Sequence, residues 1–364
     1  MKDIRMVLPN IASDTAGAAS ILFETGGLTV IHDAAGSHEV FITFEEARSL
    51  EGCRTVASRL SKFEAVTGDD GILLDRIERA CEIDPPPFIA IVGSPVPFTI
   101  GTDLDGMAAE AQYSTGIPAF AVTAGGFGLY DQGAGEALEK LVATLTRDPV
   151  LTDGLRVNLL GASPFDCSAA ELDGMKKALL DAGAQEGCAL TMGETLDSVR
   201  SAADAARNIV ISAAGLNAAR YMHRRWGIPC SIGIPTKDTA AALLAGEAMP
   251  VEKTHRRVLV LGDAVFAGQL AGMLGGKAGI VTTDGGQIFP EVPTVKLDTE
   301  ESIRREVRSG YDVIVGDPLY RQFLPCDSPC TYFERPHKAQ SSRLYAPCGE
   351  TIDQLIENVK GSLK

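Results

Sequence analysis

Three things are scarce in this chain of 364 residues. Basic side chains come first: 33 Lys and Arg against 48 Asp and Glu give a formal charge of −15. Phosphate backbones are bound by clustered Lys and Arg, so this balance argues against a nucleic-acid surface and suits a basic partner face instead. Long apolar runs come second. None approaches the ~20 residues that a membrane-spanning helix needs. The opening Met1-Lys2-Asp3-Ile4-Arg5 has no apolar segment of the kind that marks a secretion signal. The expectation is a cytoplasmic chain with no membrane and no nucleic-acid partner. Its eight cysteines then read as reduced thiols or ligands, not as a disulfide frame. Nucleotide signatures come third. Gly125-Gly126-Phe127-Gly128 lacks the GxGxxG spacing, no Walker-type Lys-Ser/Thr follows, and no short tandem repeat is visible.

What the chain does have is a unit that recurs. Apolar residues make up 45% and charged residues 22%, a globular profile, and the length exceeds what one ordinary core organises. Leu28 to Ile31 reads as a short buried strand that stops at His32-Asp33 and then at Gly36-Ser37. Phe88 to Val92 has the same form and runs into Gly93-Ser94-Pro95. Parallel sheets place their sites just past the carboxyl ends of strands, so both loops are expected at one crevice.

Segment one also predicts a strand over 118–122, helices over Cys53–Leu60 and Leu73–Cys81, and a helix through Leu145 after the Gly-rich loop. Segment two predicts strands over 156–160, 188–192, 208–212 and 228–234, with helices over 169–182 and up to Trp226. Segment three predicts strands over 257–261, 278–282 and 312–315, and a helix from Gly262-Asp263 to Leu274. Its tail is a helix with Ile352, Leu355, Ile356 and Val359 on one face. Strand–helix alternation three times over gives an α/β fold of three Rossmann-like domains with mostly parallel sheets, over 1–153, 154–252 and 253–364.

The chemistry-bearing residues are few. His32 and Asp33 border the crevice and form the candidate catalytic pair, suited to proton relay or to a polar substrate. The plain alternative is a histidine satisfied by backbone near a strand end. His38 shares the loop. Gly36, Ser37, Gly93 and Ser94 are candidates for holding a cofactor, although serine after glycine is also ordinary turn and cap chemistry. Cys53, Cys81, Cys167, Cys188 and Cys230 read as small core residues. Cys326, Cys330 and Cys348, with His337, are weak metal candidates, because their spacing matches no strong ligand pattern.

Taken in order, these elements resemble the nitrogenase component 1 family. It includes the molybdenum-iron protein subunits, the light-independent protochlorophyllide reductase and the nickel-sirohydrochlorin diamide reductive cyclase. The loop from His32 to Ser37 resembles the family's His-Gly-Pro-x-Gly-Cys, and Thr67 to Leu74 is similar to its Gly-Gly-x-x-Lys-Leu. Val92 to Gly106 resembles Cys-Pro-x-x-x-Ile-Gly-Asp-Asp-Ile. Thr191 to Leu196 and Trp226-Gly227-Ile228-Pro229 are similar to second-domain elements, and Gly262-Asp263 to the opening of the third. The resemblance covers most of the chain in the right order.

The resemblance implies a site and also a conflict. In the family, three cysteines per subunit bind an iron-sulfur cluster at a dimer interface. Here Ser37 and Ser94 stand at two of those positions, Ser13 is a looser match for the third, and Ser212 stands at the place of a cofactor-binding cysteine. Iron-sulfur iron selects thiolate, so a cluster is expected only if it is shared with a partner subunit that supplies the thiols. Asp33 or Asp14 would then act as an oxygen ligand, as a carboxylate does in the protochlorophyllide enzyme. The implied function is an oxidoreductase subunit that receives electrons from an ATP-dependent iron-sulfur reductase protein. Its substrate would be a small molecule or a tetrapyrrole. The expected assembly is a homodimer or a heterodimer with a similar subunit, with residues 30–40 at the interface. The alternative is a redox-inactive binding or scaffold subunit of the same fold, or the partner of a cysteine-bearing paralogue. An unrelated three-domain enzyme such as a nucleotide-sugar transferase fits the segment order less well.

Overall fold

Short runs of aliphatic and β-branched residues, buried along their whole length, become the central strands. A computed structural model describes residues 6–37, 41, 46, 48, 53–69, 71–150, 154–282, 288–341 and 351–363. The described residues hold three separate sheets. The first contains β1 (Leu28–Ile31), β2 (Thr55–Ala57), β3 (Ile89–Val92) and β4 (Ala119–Val122), in the order β2-β1-β3-β4. The second contains β5 (Arg156–Leu160), β6 (Glu186–Cys188), β7 (Arg207–Val210) and β8 (Cys230–Ile232), in the order β6-β5-β7-β8. The third contains β9 (Val258–Gly262), β10 (Lys277–Ile280), β11 (Thr294–Lys296), β12 (Val313–Gly316) and β13 (Thr331–Glu334), in the order β11-β10-β9-β12-β13. Every pairing among them is parallel.

Each sheet therefore reverses direction beside its first strand: between β1 and β3, β5 and β7, β9 and β12. Ligands of open α/β sheets bind at such switch points. Register brings the loops level there, because Ile31 pairs with Val92 and Leu160 with Val210.

Two local expectations need correction, and further elements carried no expectation above. Cys53–Leu60 is not a helix; Thr55, Val56 and Ala57 form β2, in register with Thr29, Val30 and Ile31. β-branched Thr55 and Val56 suit a strand, and Arg59 leaves it at φ 62°. The strand expected over 188–192 ends at Cys188, because Leu190 takes φ 60°, which no strand accommodates. The helix Asp14–Leu22 has no sequence counterpart above, since it is buried almost all round and shows no polar face. Short β11 and β13 also lacked a signal; both carry mostly exposed or half-buried residues at sheet edges.

The units share cores. One hydrophobic cluster joins Val157, Leu179 and Ile209 to Val260 and Leu270, and the last helix, Ile352–Leu363, inserts Leu355, Ile356 and Val359 into it. The terminal helix is held there by the Lys237–Glu357 ion pair and by Lys237 N–H donating to Asp353 at 3.3 Å. Another cluster joins Ile21, Phe88 and Leu138 to Leu160 and Met222. The Asp14–Leu22 helix crosses the Tyr130–Leu145 helix so closely that a Cβ on Gly17 would stand 1.9 Å from the Tyr130 carbonyl oxygen. Among the described residues, no helix is long and apolar enough to cross a membrane.

Candidate functional site

Two polar regions sit at strand ends. The first is the edge of the first sheet. Beyond β1, His32 is buried, and its Nδ1 lies 2.9 Å from Ser58 Oγ. Beyond β3, Ser94 is 1% exposed, and its hydroxyl donates to His32 O at 2.8 Å, across the switch point. Ser37 lies in the turn after β1, where its hydroxyl donates to Ala34 O at 3.0 Å. Gly36, at φ 98°, makes that turn possible. Ser13 caps the Asp14–Leu22 helix, with Oγ accepting from Ala16 N at 3.3 Å.

Ser94 thus lies at the carboxyl ends of β1 and β3, while Ser37 sits in its own turn after β1 and Ser13 at a helix cap. The Ser13 loop is tied to the β3 loop through Thr15, whose hydroxyl donates to Gly93 O at 3.0 Å. Gly93 makes a close approach, but to the chain itself: a Cβ there would stand 2.3 Å from Ala124 O. The two carboxylates are also committed. Asp14 accepts from the N–H groups of Thr15, Gly125 and Gly128, holding the Gly-rich loop in place. Asp33 Oδ1 accepts from Ala34 N at 2.7 Å.

The second region lies where the three sheets' units meet. Tyr130, fully buried, donates its hydroxyl to Asp166 Oδ1 at 2.7 Å, and Ser163 donates to Asp166 Oδ2 at 2.7 Å. His337 Nε2 is 3.4 Å from the same Tyr130 hydroxyl, and His337 N–H donates to Asp317 at 2.7 Å. Asp263 caps the Ala264–Leu274 helix through Val265 N at 2.7 Å. Ser212, the serine at the resemblance's cofactor-cysteine position, donates to Gly161 O at 2.7 Å. The Arg335–Glu171 ion pair closes one side, with the guanidinium 5.4 Å above the Phe266 ring.

Burial sets the charges here. It pushes the Asp166 carboxyl up to about 6. Burial, then the charge of Asp166, pushes Asp263 to about 8. Burial and the Arg335 cation lower His337 to about 4, so at neutral pH the ring is neutral and Asp263 is largely protonated. The cavity they line holds only about 30 Å³, enough for roughly one or two waters.

A family model described as nitrogenase component 1 type oxidoreductase matches residues 15–237. The chain belongs to that family. It is 29% identical over 175 residues to the nitrogenase iron-molybdenum cofactor biosynthesis protein NifE of Bradyrhizobium diazoefficiens. That match takes in 47% of this chain and 31% of the relative, so the chain spans about a third of the length of the curated relative it matches. Two solved structures share the fold over 100% of the chain. Nitrogenase Cp1 at pH 6.5 has TM-score 0.71 and 13% identity over 94% of that chain. Nitrogenase Cp1 at pH 5 has TM-score 0.68 and 15% identity over 90%.

Against that membership, the donor set at the first sheet does not fit an iron-sulfur cluster. Ser13, Ser37 and Ser94 each use their hydroxyl on backbone. Of the two cysteines in that unit, Cys81 faces its core and Cys53 Sγ accepts from Thr55 N. The inter-unit cavity is likewise too small for a metallocofactor. Among the described residues, no group of three or more His, Cys, Asp and Glu is arranged to hold a metal ion. Cys326 and Cys330 precede β13 and His337 follows it; four strand residues span roughly 13 Å, which keeps the thiols apart from that histidine. Cys348 and His38 lie outside the described residues.

Tyr130, Asp166 and Arg335 were not singled out from sequence. Asp166 follows β5 as Ser94 follows β3, so the strand-end rule applied to every sheet would have found it.

Proposed function

We propose that this chain is the thiolate-free subunit of a component 1-type oxidoreductase assembly. It contributes surface and not cluster ligands, and pairs through the strand-end edge of its first sheet with a similar, cysteine-bearing subunit. The observation that carries this reading is the commitment of all three serine hydroxyls to the chain's own backbone. The surface beside them supports it. Phe98 and Phe127 are 62% and 72% exposed, with ring centroids 5.8 Å apart, and Val96 and Ile100 extend the patch. Exposed apolar patches of this kind mark protein contacts. Electron supply by an ATP-dependent iron-sulfur reductase protein, and reduction of a small or tetrapyrrole-like substrate, then belong to the assembly. A cytoplasmic location goes with that reading.

Light scattering on the chain alone and mixed with a cysteine-bearing component 1-type subunit tests it. The expected result is a dimer that Ala35→Glu weakens, because a charge placed at a closed interface lacks a partner. A monomer in both samples, or an Ala35→Glu variant that associates unchanged, would contradict the interface.

A further inference from the structure

A cleft of about 380 Å³ opens between the second and third sheets, at the start of β8, the linker from Gly246 to Val251, and residues 288–292. Its floor is the Ala264–Leu274 helix at Gly268 and Gly272, some 7 to 14 Å along the helix from Asp263. It is therefore distinct from both polar regions above. Its volume lies in the range of small-molecule pockets, which form preferentially between units.

The sequence shapes it in a specific way. A Cβ on Gly268 would stand 2.4 Å from the Phe289 ring, so the glycine lets that ring lie on the helix as a wall. The interior polar groups are spent inward. Gln269 is 4% exposed; it accepts from Ile234 N and donates to Ile234 O at 2.8 Å. Ser231 donates to Leu243 O at 2.7 Å and accepts from Arg207 at 3.0 Å. Ile232, Met249, Phe289 and Val292 supply apolar lining beside the polar groups of the linker and the mouth. The mouth carries the exposed carboxylates Glu247 and Glu291, the exposed residue Cys230, and no Lys or Arg among the described lining residues.

We propose that this cleft binds a small organic cation, with an apolar body against Phe289 and Met249 and a positive end between Glu247 and Glu291. Two carboxylates, with no basic side chain among the described lining residues, give the mouth a negative potential that favours a cation over an anion.

Thioflavin T, an aromatic cation, is the probe, and anilinonaphthalene sulfonate is its anionic control. The readouts are dye fluorescence and alkylation of Cys230 by iodoacetamide, followed by peptide mass. Thioflavin T should bind one saturable site and protect Cys230, while the sulfonate should not. Ala248→Trp, which fills the cleft from an exposed position, should weaken protection at least about tenfold. The double variant Glu247→Lys/Glu291→Lys should exchange the preference of the two dyes. Cys230 alkylation unaffected by thioflavin T, or protection equal in wild type and Ala248→Trp, would overturn the proposal. All three substituted positions are exposed, and an unchanged melting midpoint confirms folded variants.

Discussion

The edge of the first sheet and the junction of the three units are built on the same device but end differently. In each of the first two sheets, a serine after the third strand donates to the carbonyl after the first: Ser94 to His32 at 2.8 Å, and Ser212 to Gly161 at 2.7 Å. Around Ser94 the loops reach an exposed aromatic surface. Around Ser212 the chain closes over itself with Tyr130, Asp166, Asp263 and His337. A serine at a switch point thus acts as a bracket between strands, at Ser94 and Ser212, while Ser37 holds a turn and Ser13 caps a helix. The raised carboxyls Asp166 and Asp263 lie in the closed region, where the units meet.

The comparison breaks first at the junction. Tyr130→Ala removes a fully buried ring and its bond to Asp166 and should cost about 3–5 kcal/mol, read as a loss in denaturant midpoint. Trimming the exposed Phe98 in the same way should cost under about 1 kcal/mol.

Arg335→Met is the second probe. It leaves Glu171, 8% exposed at its side chain, without its main cation and should cost about 3 kcal/mol. Lys338, 3.9 Å from Glu171, offsets part of that loss.

A pH series separates the regions more finely. The Asp263 carboxyl is raised to about 8 from 3.8, so the folded state binds the proton that the unfolded state has released. Stability from this group is present at low pH and is lost as pH rises toward 8. His337 works in the opposite sense: lowered to about 4, it costs stability as pH falls from 6.5. Between pH 7 and 8 the Asp263 slope outweighs those of Asp166, raised only to about 6, and His337, and reaches up to about 1.4 kcal/mol per pH unit. Asp263→Asn keeps a good helix cap and should flatten that slope, as read by chemical denaturation at each pH.

The smallest effects belong to the serines. Ser94→Ala should cost about 1 kcal/mol by stranding a buried carbonyl, and Ser37→Ala under about 0.5, because its turn is half-exposed. Equal costs at the two positions would dissolve the distinction between a buried bracket and a surface turn.

Much of the fold was legible because parallel strands buried on both faces leave uninterrupted apolar runs, as at Ile89–Val92 and Val258–Leu261. Elements without a periodic contrast were not legible: the almost wholly buried Asp14–Leu22 helix and the partly exposed edge strand Thr331–Glu334. Missing that helix hid the cap role of Ser13, whose hydroxyl accepts from Ala16 N. At the site, sequence placed Ser37 and Ser94 at neighbouring strand ends but could not show where their hydroxyls point. The Tyr130–Asp166–His337 contact was hidden for a different reason: its members are up to 207 positions apart, and only tertiary packing joins them.

With the hydroxyls of Ser13, Ser37 and Ser94 committed to backbone, the chain alone should bind no stable iron-sulfur cluster. Anaerobic reconstitution of the chain with iron and sulfide, followed by desalting and iron, sulfide and visible-absorption analysis, tests it most directly. The expected product is a colourless protein without stoichiometric iron. A brown protein with stoichiometric iron and sulfide, unchanged in the Cys326→Ser/Cys330→Ser/Cys348→Ser variant, would contradict it.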